Sequence, residues 1–376
     1  MSFDLPSPDA GLRDPGRDPD LAEAERLMTV CNSCRYCEGL CAVFPAMELR
    51  RSFADGDLQY LANLCHSCGA CYHDCQFSPP HEFDVNVPAV LARVRNDSYA
   101  AHAWPAALRP LFRRHGAALA VGVALACALF LAGFVATGDP GALWTAHRSP
   151  ELFYALMPHS AMVALFGAAF GWMLLAVGMG ARSFWKATGG PVDGAALGRA
   201  GHDAATLRYL DGGGAGCMNA DDQPDDTRRL WHHFTFYGFL LCLASTTVAT
   251  LYHYVFDRPA PYPLWDLPKV LGTLGGIGLV IGPIGLLRAK ARRLPDLLDP
   301  RFRGMEVGFL AILLLTGASG LALMALRTTP LLGPMLALHL GAVLALFLSM
   351  PYGKFVHGLY RYLALSRWRR EDPSRG

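Results

Sequence analysis

Six long apolar runs constrain this chain more than any other feature. They fall near residues 116–136, 158–180, 231–255, 267–287, 306–326 and 332–357. Each reaches the roughly 20 residues that a helix needs to cross a bilayer core. Hydrophobic residues make up 52% of the 376 and charged residues only 17%, against about 25% charged in an ordinary globular chain. The excess is uneven: residues 1–115 are polar, and most of 116–364 is apolar. The pattern predicts a water-facing head on a membrane body. A net charge of +2 leaves no polybasic surface for nucleic acid.

Basic residues orient the runs. Arg109, Arg113 and Arg114 precede the first, which puts that end in the cytoplasm by the positive-inside rule. Alternation then places Arg182 and Lys186, Arg288 to Arg293, and Arg367 to Arg370 on the same side, whereas the opposite loops 137–157 and 257–266 carry only Arg148 and Arg258. Both termini are expected inside, in a multi-pass inner membrane protein of bacterial type. The segment Met1 to Asp20 has no apolar core and does not read as a signal peptide.

The head is marked by cysteine. Eight of the eleven cysteines lie between Cys31 and Cys75, in two runs of identical C-x2-C-x2-C-x3-C spacing: Cys31, Cys34, Cys37, Cys41 and Cys65, Cys68, Cys71, Cys75. Three closely spaced thiolates can wrap one face of an iron–sulfur cube, and in two-cluster ferredoxins the fourth cysteine of each run ligates the other cluster. The spacing therefore predicts one [4Fe–4S] cluster on Cys31, Cys34, Cys37 and Cys75, and a second on Cys65, Cys68, Cys71 and Cys41. Structural zinc, the alternative for clustered thiolates, normally uses paired C-x2-C units with a long gap. The proline that commonly follows the fourth cysteine is replaced by Ala42 and Gln76. Helical spacing of Leu21, Ala24 and Met28, and of Leu49, Phe53, Tyr60 and Leu64, favours a helical ferredoxin-like head over a sheet-based one. His66 and His73 sit inside the second run and read as neighbours of the ligands, since the cysteines already complete both sites.

Histidines in the apolar runs carry the next expectation, because an imidazole in hydrocarbon needs a partner and metal ligation supplies one. His339 and His357 are 18 residues apart, which is five whole turns and hence one helix face. His232 and His253, 21 residues apart, lie within about 60° of each other. Two antiparallel helices with a histidine near each end can pair twice, His232 with His357 toward the cytoplasm and His253 with His339 toward the outside. One or two haems b are expected, with His233 and His159 as substitute ligands and Pro351 and Gly353 able to break the phase.

The expected organisation is all-α: a disordered tail over 1–20, a two-cluster ferredoxin-like domain over 21–87, an interfacial linker over 88–115, a six-helix transmembrane haem-binding bundle over 116–364 with a cytoplasmic loop at 187–229, and a basic tail over 365–376. The glycines at 212–214 and 216 read as a flexible linker, since no strand precedes them. Gly272, Gly275, Gly276 and Gly278 read as close helix packing. No dinucleotide fingerprint, P-loop, nucleophile elbow or metalloprotease motif is present, so no residue is assigned a catalytic role on a substrate.

Over Cys31–Cys41, Cys65–Phe83, Leu207–Cys217 and above all Arg228–Tyr254, running on to Pro261–Leu287, the chain resembles the tricarballylate/citrate utilization protein B family. That resemblance implies two [4Fe–4S] clusters and haem, an FAD-dependent tricarballylate dehydrogenase as partner, and delivery of electrons from its reduced flavin to the quinone pool. A relative fused to a flavoprotein of cobalamin synthesis leaves another flavoprotein pathway as the alternative. The stretch Pro351–His357 with His339 is also similar to the last haem helix of the nitrate reductase gamma subunit. A transporter with an iron–sulfur sensor head is the rival from another class. It would need carboxylates along a path through the membrane, and only Glu306 and Asp266 lie near the runs, both at ends.

Overall fold

Pro19, just inside the cap residue Asp18, starts the first helix, α1 (Pro19–Cys34), and the first cysteine run begins in its last turn. The computed structural model describes residues 16–137, 143–144 and 156–372. The head continues through α2 (Val43–Glu48), α3 (Asp55–Leu64), α4 (Ala70–His73) and α5 (Val87–Ala101). Its core packs Leu27, Met28, Phe44, Met47, Leu58, Leu61, Val90 and Leu91. Helix α5 lies within the stretch expected as an interfacial linker. Its apolar face closes the head core, so the cluster domain runs on through this helix. Most of the expected N-terminal tail lies outside the described residues.

The membrane body follows as α6 (Leu111–Thr137), α7 (His159–Thr188), α9 (Thr227–Tyr254), α10 (Leu267–Ala291), α11 (Arg303–Leu326) and α12 (Leu332–Ser349), with α8 (Gly194–Thr206) between α7 and α9. Among the described residues six helices are long and apolar enough to cross a membrane, and the chain is a multi-pass membrane protein. Val121, Leu125 and Leu129 of α6 and Leu174 and Leu175 of α7 are exposed, as faces toward lipid must be. The glycine run of α10 brings it against α9. A Cβ on Gly238 would stand 2.9 Å from the backbone of Gly278, and one on Gly275 would stand 2.8 Å from the backbone nitrogen of Cys242. Small residues permit this approach where lipid removes the hydrophobic incentive to associate.

Two expected segments differ. The last run is not one helix to His357. It stops at Ser349, passes through a 3₁₀ turn at Met350–Tyr352, and restarts as α13 (Val356–Glu371), because Pro351 cannot donate to the helical ladder. The five-turn phase between His339 and His357 is thereby lost. As far as Glu371, the expected basic tail is the buried end of α13, and residues 373–376 lie outside the described ones. Trp368 is 1% exposed and packs in the head core. Arg367 bonds Asp57 and Glu371 at 2.7 Å each, and Arg50 joins Glu371 at 2.7 Å and Asp57 at 3.0 Å. A basic run reads as solvated only while its acidic partners are out of sight, and these come from Asp57 far upstream and from Glu371 within the same helix.

The loop at 187–229 is likewise folded. Helix α8 packs on α13, and Asp203 takes Arg369 bidentately at 2.6 and 2.7 Å. A two-strand ribbon, β1 (Cys217–Met218) with β2 (Pro224–Asp225), pairs antiparallel with Cys217 opposite Asp225. Side chains of Asp203 and Arg369 are 0% and 2% exposed, and removing one partner of a buried pair costs about 3–5 kcal/mol. Asp203→Ala should therefore lower the unfolding free energy of the detergent-solubilised protein by about that amount in a denaturant titration. A loss under about 1 kcal/mol would mean that the pair is hydrated.

Candidate metal centres

The eight head cysteines separate into two cavities, and the separation crosses the sequence. One cavity is lined by Cys31, Cys34, Cys37 and Cys75, together with Tyr36, Phe44, Asp74 and Phe77. The other is lined by Cys41, Cys65, Cys68 and Cys71, with Phe44, His66, Ser67 and Tyr209. Each run thus contributes three cysteines to one cavity and its fourth to the other, and Phe44 of α2 borders both.

The outer cavity reaches the surface, where Cys34 is exposed. Burial, with Cys37 as the nearest charged neighbour, pushes the Cys31 thiol up to about 12, and burial with Cys75 does the same for Cys37. In the inner cavity burial pushes Cys68 to about 11 and holds Cys41 and Cys71 well above the ordinary thiol range, with neighbouring cysteines adding to it. Four thiolates in so small a space repel one another, and bound iron supplies the positive charge that lets them ionise together. Among the described residues no three such side chains converge on one ion. The donor set fits a [4Fe–4S] cluster in each cavity.

Local backbone explains the inner cavity. Gly69, with φ of 89°, caps α4, and a Cβ there would press on Leu297 at 3.1 Å and Met218 at 3.3 Å. Ser67, a non-glycine residue at φ of 48°, sits in a region that costs about 1 kcal/mol or more. Its conformation turns its N–H onto Cys65 Sγ at 3.3 Å, while Arg95 donates to its Oγ at 3.0 Å. Arg228 donates to its carbonyl at 3.1 Å, and Arg293 donates to the same oxygen. Cys65 O accepts from Arg95 and from Arg361, both at 2.7 Å, and His66 O accepts from Arg228 at 3.1 Å. The glycine loop before β1 closes the cavity from the other side, with Gly212 against Ala70 and Gly213 against Leu40. Cys217, 3% exposed, packs beside Cys68 with Arg228 3.7 Å from its sulfur.

Below this loop lie the histidines. His232 of α9 and His357 of α13 stand with ring centres 6.0 Å apart and planes inclined at 73°. Two axial imidazoles on one iron have ring centres about 6 Å apart, since each metal–nitrogen bond is about 2 Å. His357 sets Nδ1 against the Lys354 carbonyl, the contact that fixes the tautomer of a ligating imidazole, and His232 Nδ1 is buried without a partner. The pair fits a haem. Arg228, one turn before His232, donates to His66 O at 3.1 Å, and Arg361, one turn after His357, donates to Cys65 O at 2.7 Å, so the inner cavity and this pair adjoin. His233 lies instead against Tyr237, ring centres 5.8 Å apart.

The expected outer pair is not formed. His253 stacks on His159 at 4.2 Å and 25°, a face-to-face contact unlike two rings facing one iron. His339 bonds Ser319 Oγ at 3.1 Å and crowds Gly320. Among the described residues it makes no ring contact with His253. The physical reason is the break at Met350–Tyr352, which uncouples the register of His339 from that of His357, while the outer end of α9 is taken by the start of α7.

The model of the citrate utilization protein B family matches residues 113–376, and that of the citrate utilization protein B Fer4-like domain matches residues 24–101. The chain belongs to the citrate utilization protein B family. It is 49% identical over 356 residues to the Escherichia coli protein of that name, a match covering 93% of this chain and 92% of the relative. No solved structure matches the chain. The Fer4-like match ends where α5 ends, in agreement with the extent of the head core. Family and head together assign an iron–sulfur electron-transfer role in a membrane protein.

Sequence reasoning missed the arginines around Ser67 and the position of Cys217 beside Cys68. Arg293 was visible only as a topological cation and Arg228 only as the first residue of a resembling stretch, and nothing local pointed Arg95 or Arg361 inward. The crossed cavities generate a direct test. Cys75→Ser should damage the centre built on Cys31, Cys34 and Cys37, and Cys41→Ser the one built on Cys65, Cys68 and Cys71, each leaving about half of the acid-labile sulfide. Loss of the centre nearest in sequence to the substituted cysteine would reject the crossing.

Proposed function

We propose that this chain takes electrons from the reduced flavin of a partner FAD-dependent dehydrogenase, of the tricarballylate dehydrogenase type, and delivers them through the head and the membrane to the quinone pool. The observation that carries the reading is the continuity of sites. The outer cysteine cavity, open at Cys34, shares Phe44 with the inner one, and the inner one is bonded through Arg228 and Arg361 to the helix turns that carry His232 and His357.

When bound, a [4Fe–4S] cluster in each cavity and a haem b between the histidines supply one-electron carriers that split the two-electron yield of a flavin into single steps. The residues of this chain do the rest. Cys31, Cys34, Cys37 and Cys75 hold the entry site where a partner can approach it, beside exposed Tyr36. Cys41, Cys65, Cys68 and Cys71 hold the inner site away from water. Lys354 O keeps His357 in one tautomer, leaving Nε2 as its ligating atom. Arg109, Arg113, Arg114 and the clusters near Arg288 and Arg367 set the head on the cytoplasmic side of a bacterial inner membrane.

The relative's name refers to citrate utilization, which favours a tricarboxylate-directed partner over one from cobalamin synthesis. Partner capture with the solubilised chain distinguishes the two. Anaerobically purified protein should contain about nine iron, one of them in haem, and about eight labile sulfide per chain, and its reduced-minus-oxidised spectrum should carry cytochrome b bands. His357→Ala should remove those bands and leave the sulfide intact. Zinc without sulfide would end the relay reading, and haem bands that survive in both His232→Ala and His357→Ala would end the ligand assignment.

A further inference from the structure

We propose that Arg95, Arg228, Arg293 and Arg361 tune the inner cluster, holding its reduction potential above that of the outer one so that electrons entering at Cys34 settle toward the bilayer. The inference rests on reading the two cysteine cavities as cluster sites, and goes beyond it by assigning a direction and the residues that set it.

Four guanidiniums converge on three consecutive carbonyls, those of Cys65, His66 and Ser67. Among the described residues none of the four has a carboxylate partner. Nearby, Lys290 and Lys354 both bind Glu306, so six cations gather around one carboxylate. Burying that much positive charge is unfavourable unless an anion lies within it. A cube with four thiolate ligands is such an anion, and the cavity that the arginines surround is the one lined by Cys41, Cys65, Cys68 and Cys71.

The outer cavity has the opposite setting. It opens to water at Cys34 and is lined by Asp74, whereas among the described residues no carboxylate lines the inner cavity. Adding an electron makes a cluster more negative, which nearby cations favour and a carboxylate opposes. Burial alone would disfavour the extra negative charge at the inner site; the unpaired arginines counter that. They also act through geometry. By drawing the carbonyls of Cys65 and Ser67 away from the cavity they keep Ser67 at positive φ, and its N–H on Cys65 Sγ. Hydrogen bonds to cluster sulfurs are among the factors that set the potential. In the resulting step one electron leaves the outer cluster, which is oxidised, and arrives on the inner one, which is reduced; the reductant is the partner's flavin.

The test is an EPR-monitored redox titration of the full chain in detergent, with the inner signal identified as the one lost in Cys41→Ser. The wild type should reduce the inner cluster first as the ambient potential is lowered. In Arg95→Gln the reduced-to-oxidised ratio of the inner cluster at fixed potential should fall about tenfold, equal to about 59 mV for one electron. The outer cluster should not move, and Arg95→Lys should recover most of the shift. Arg293→Gln is a second variant, in case the first does not assemble the inner cluster; the Nε of Arg293 is already unbonded, so less of the loop depends on it. Reduction of the outer cluster first, or an unmoved inner signal in an assembled variant, overturns the tuning. Protein devoid of labile sulfide overturns the cluster reading itself, and the tuning with it.

Discussion

The crossing of the two cysteine runs is the constraint on which the head depends. Each cavity takes three thiols from one run and one from the other, so neither can close until α1, α2 and the Cys65–Cys75 stretch have docked together. Buried thiols so close to one another favour the protonated form, and the arrangement becomes comfortable only with metal charge inside it. Assembly of the head and loading of the cavities are therefore coupled. Phe44 occupies the place between them, which keeps the two centres adjacent without merging them.

The second constraint is the seam between head and membrane. The head is not tethered by a flexible linker; it is clamped. α5 and α13 carry the core past the expected domain edge, Arg50, Asp57, Arg367 and Glu371 share two carboxylates among two guanidiniums, and Arg369 is buried on Asp203. Basic residues at the edge of the bundle are part of this seam, because Arg293 reaches the loop of the inner cavity while Arg367 and Arg369 bind carboxylates. A rigid seam fixes the distance between the inner cysteines and the histidine pair, and electron transfer between neighbouring centres needs a fixed distance more than it needs motion.

Much of this was legible in the chain itself. Length and apolarity of the six runs leave helices as the form that satisfies the backbone in lipid, and the doubled C-x2-C-x2-C-x3-C spacing carries both the number of cavities and their crossed membership. His232 and His357 could be paired by counting turns, although the count assumed a continuous last helix that Pro351 interrupts; the pair forms because α13 restarts just before His357. The same interruption is why His339 and His253, chosen by the same arithmetic, are apart.

What the sequence by itself determined is whatever depends on local spacing: helices from apolar length, and the crossed grouping of the cysteines from their intervals. What only the tertiary structure decided is where long side chains point and which distant partners neutralise them. An arginine carries the same charge on a solvated tail, at a membrane edge or beneath a metal site. Only the fold, by bringing Asp57 to Arg367 and the Cys65–Ser67 carbonyls to Arg95, Arg228, Arg293 and Arg361, tells these apart, because electrostatic energy depends on separation in space and not along the chain.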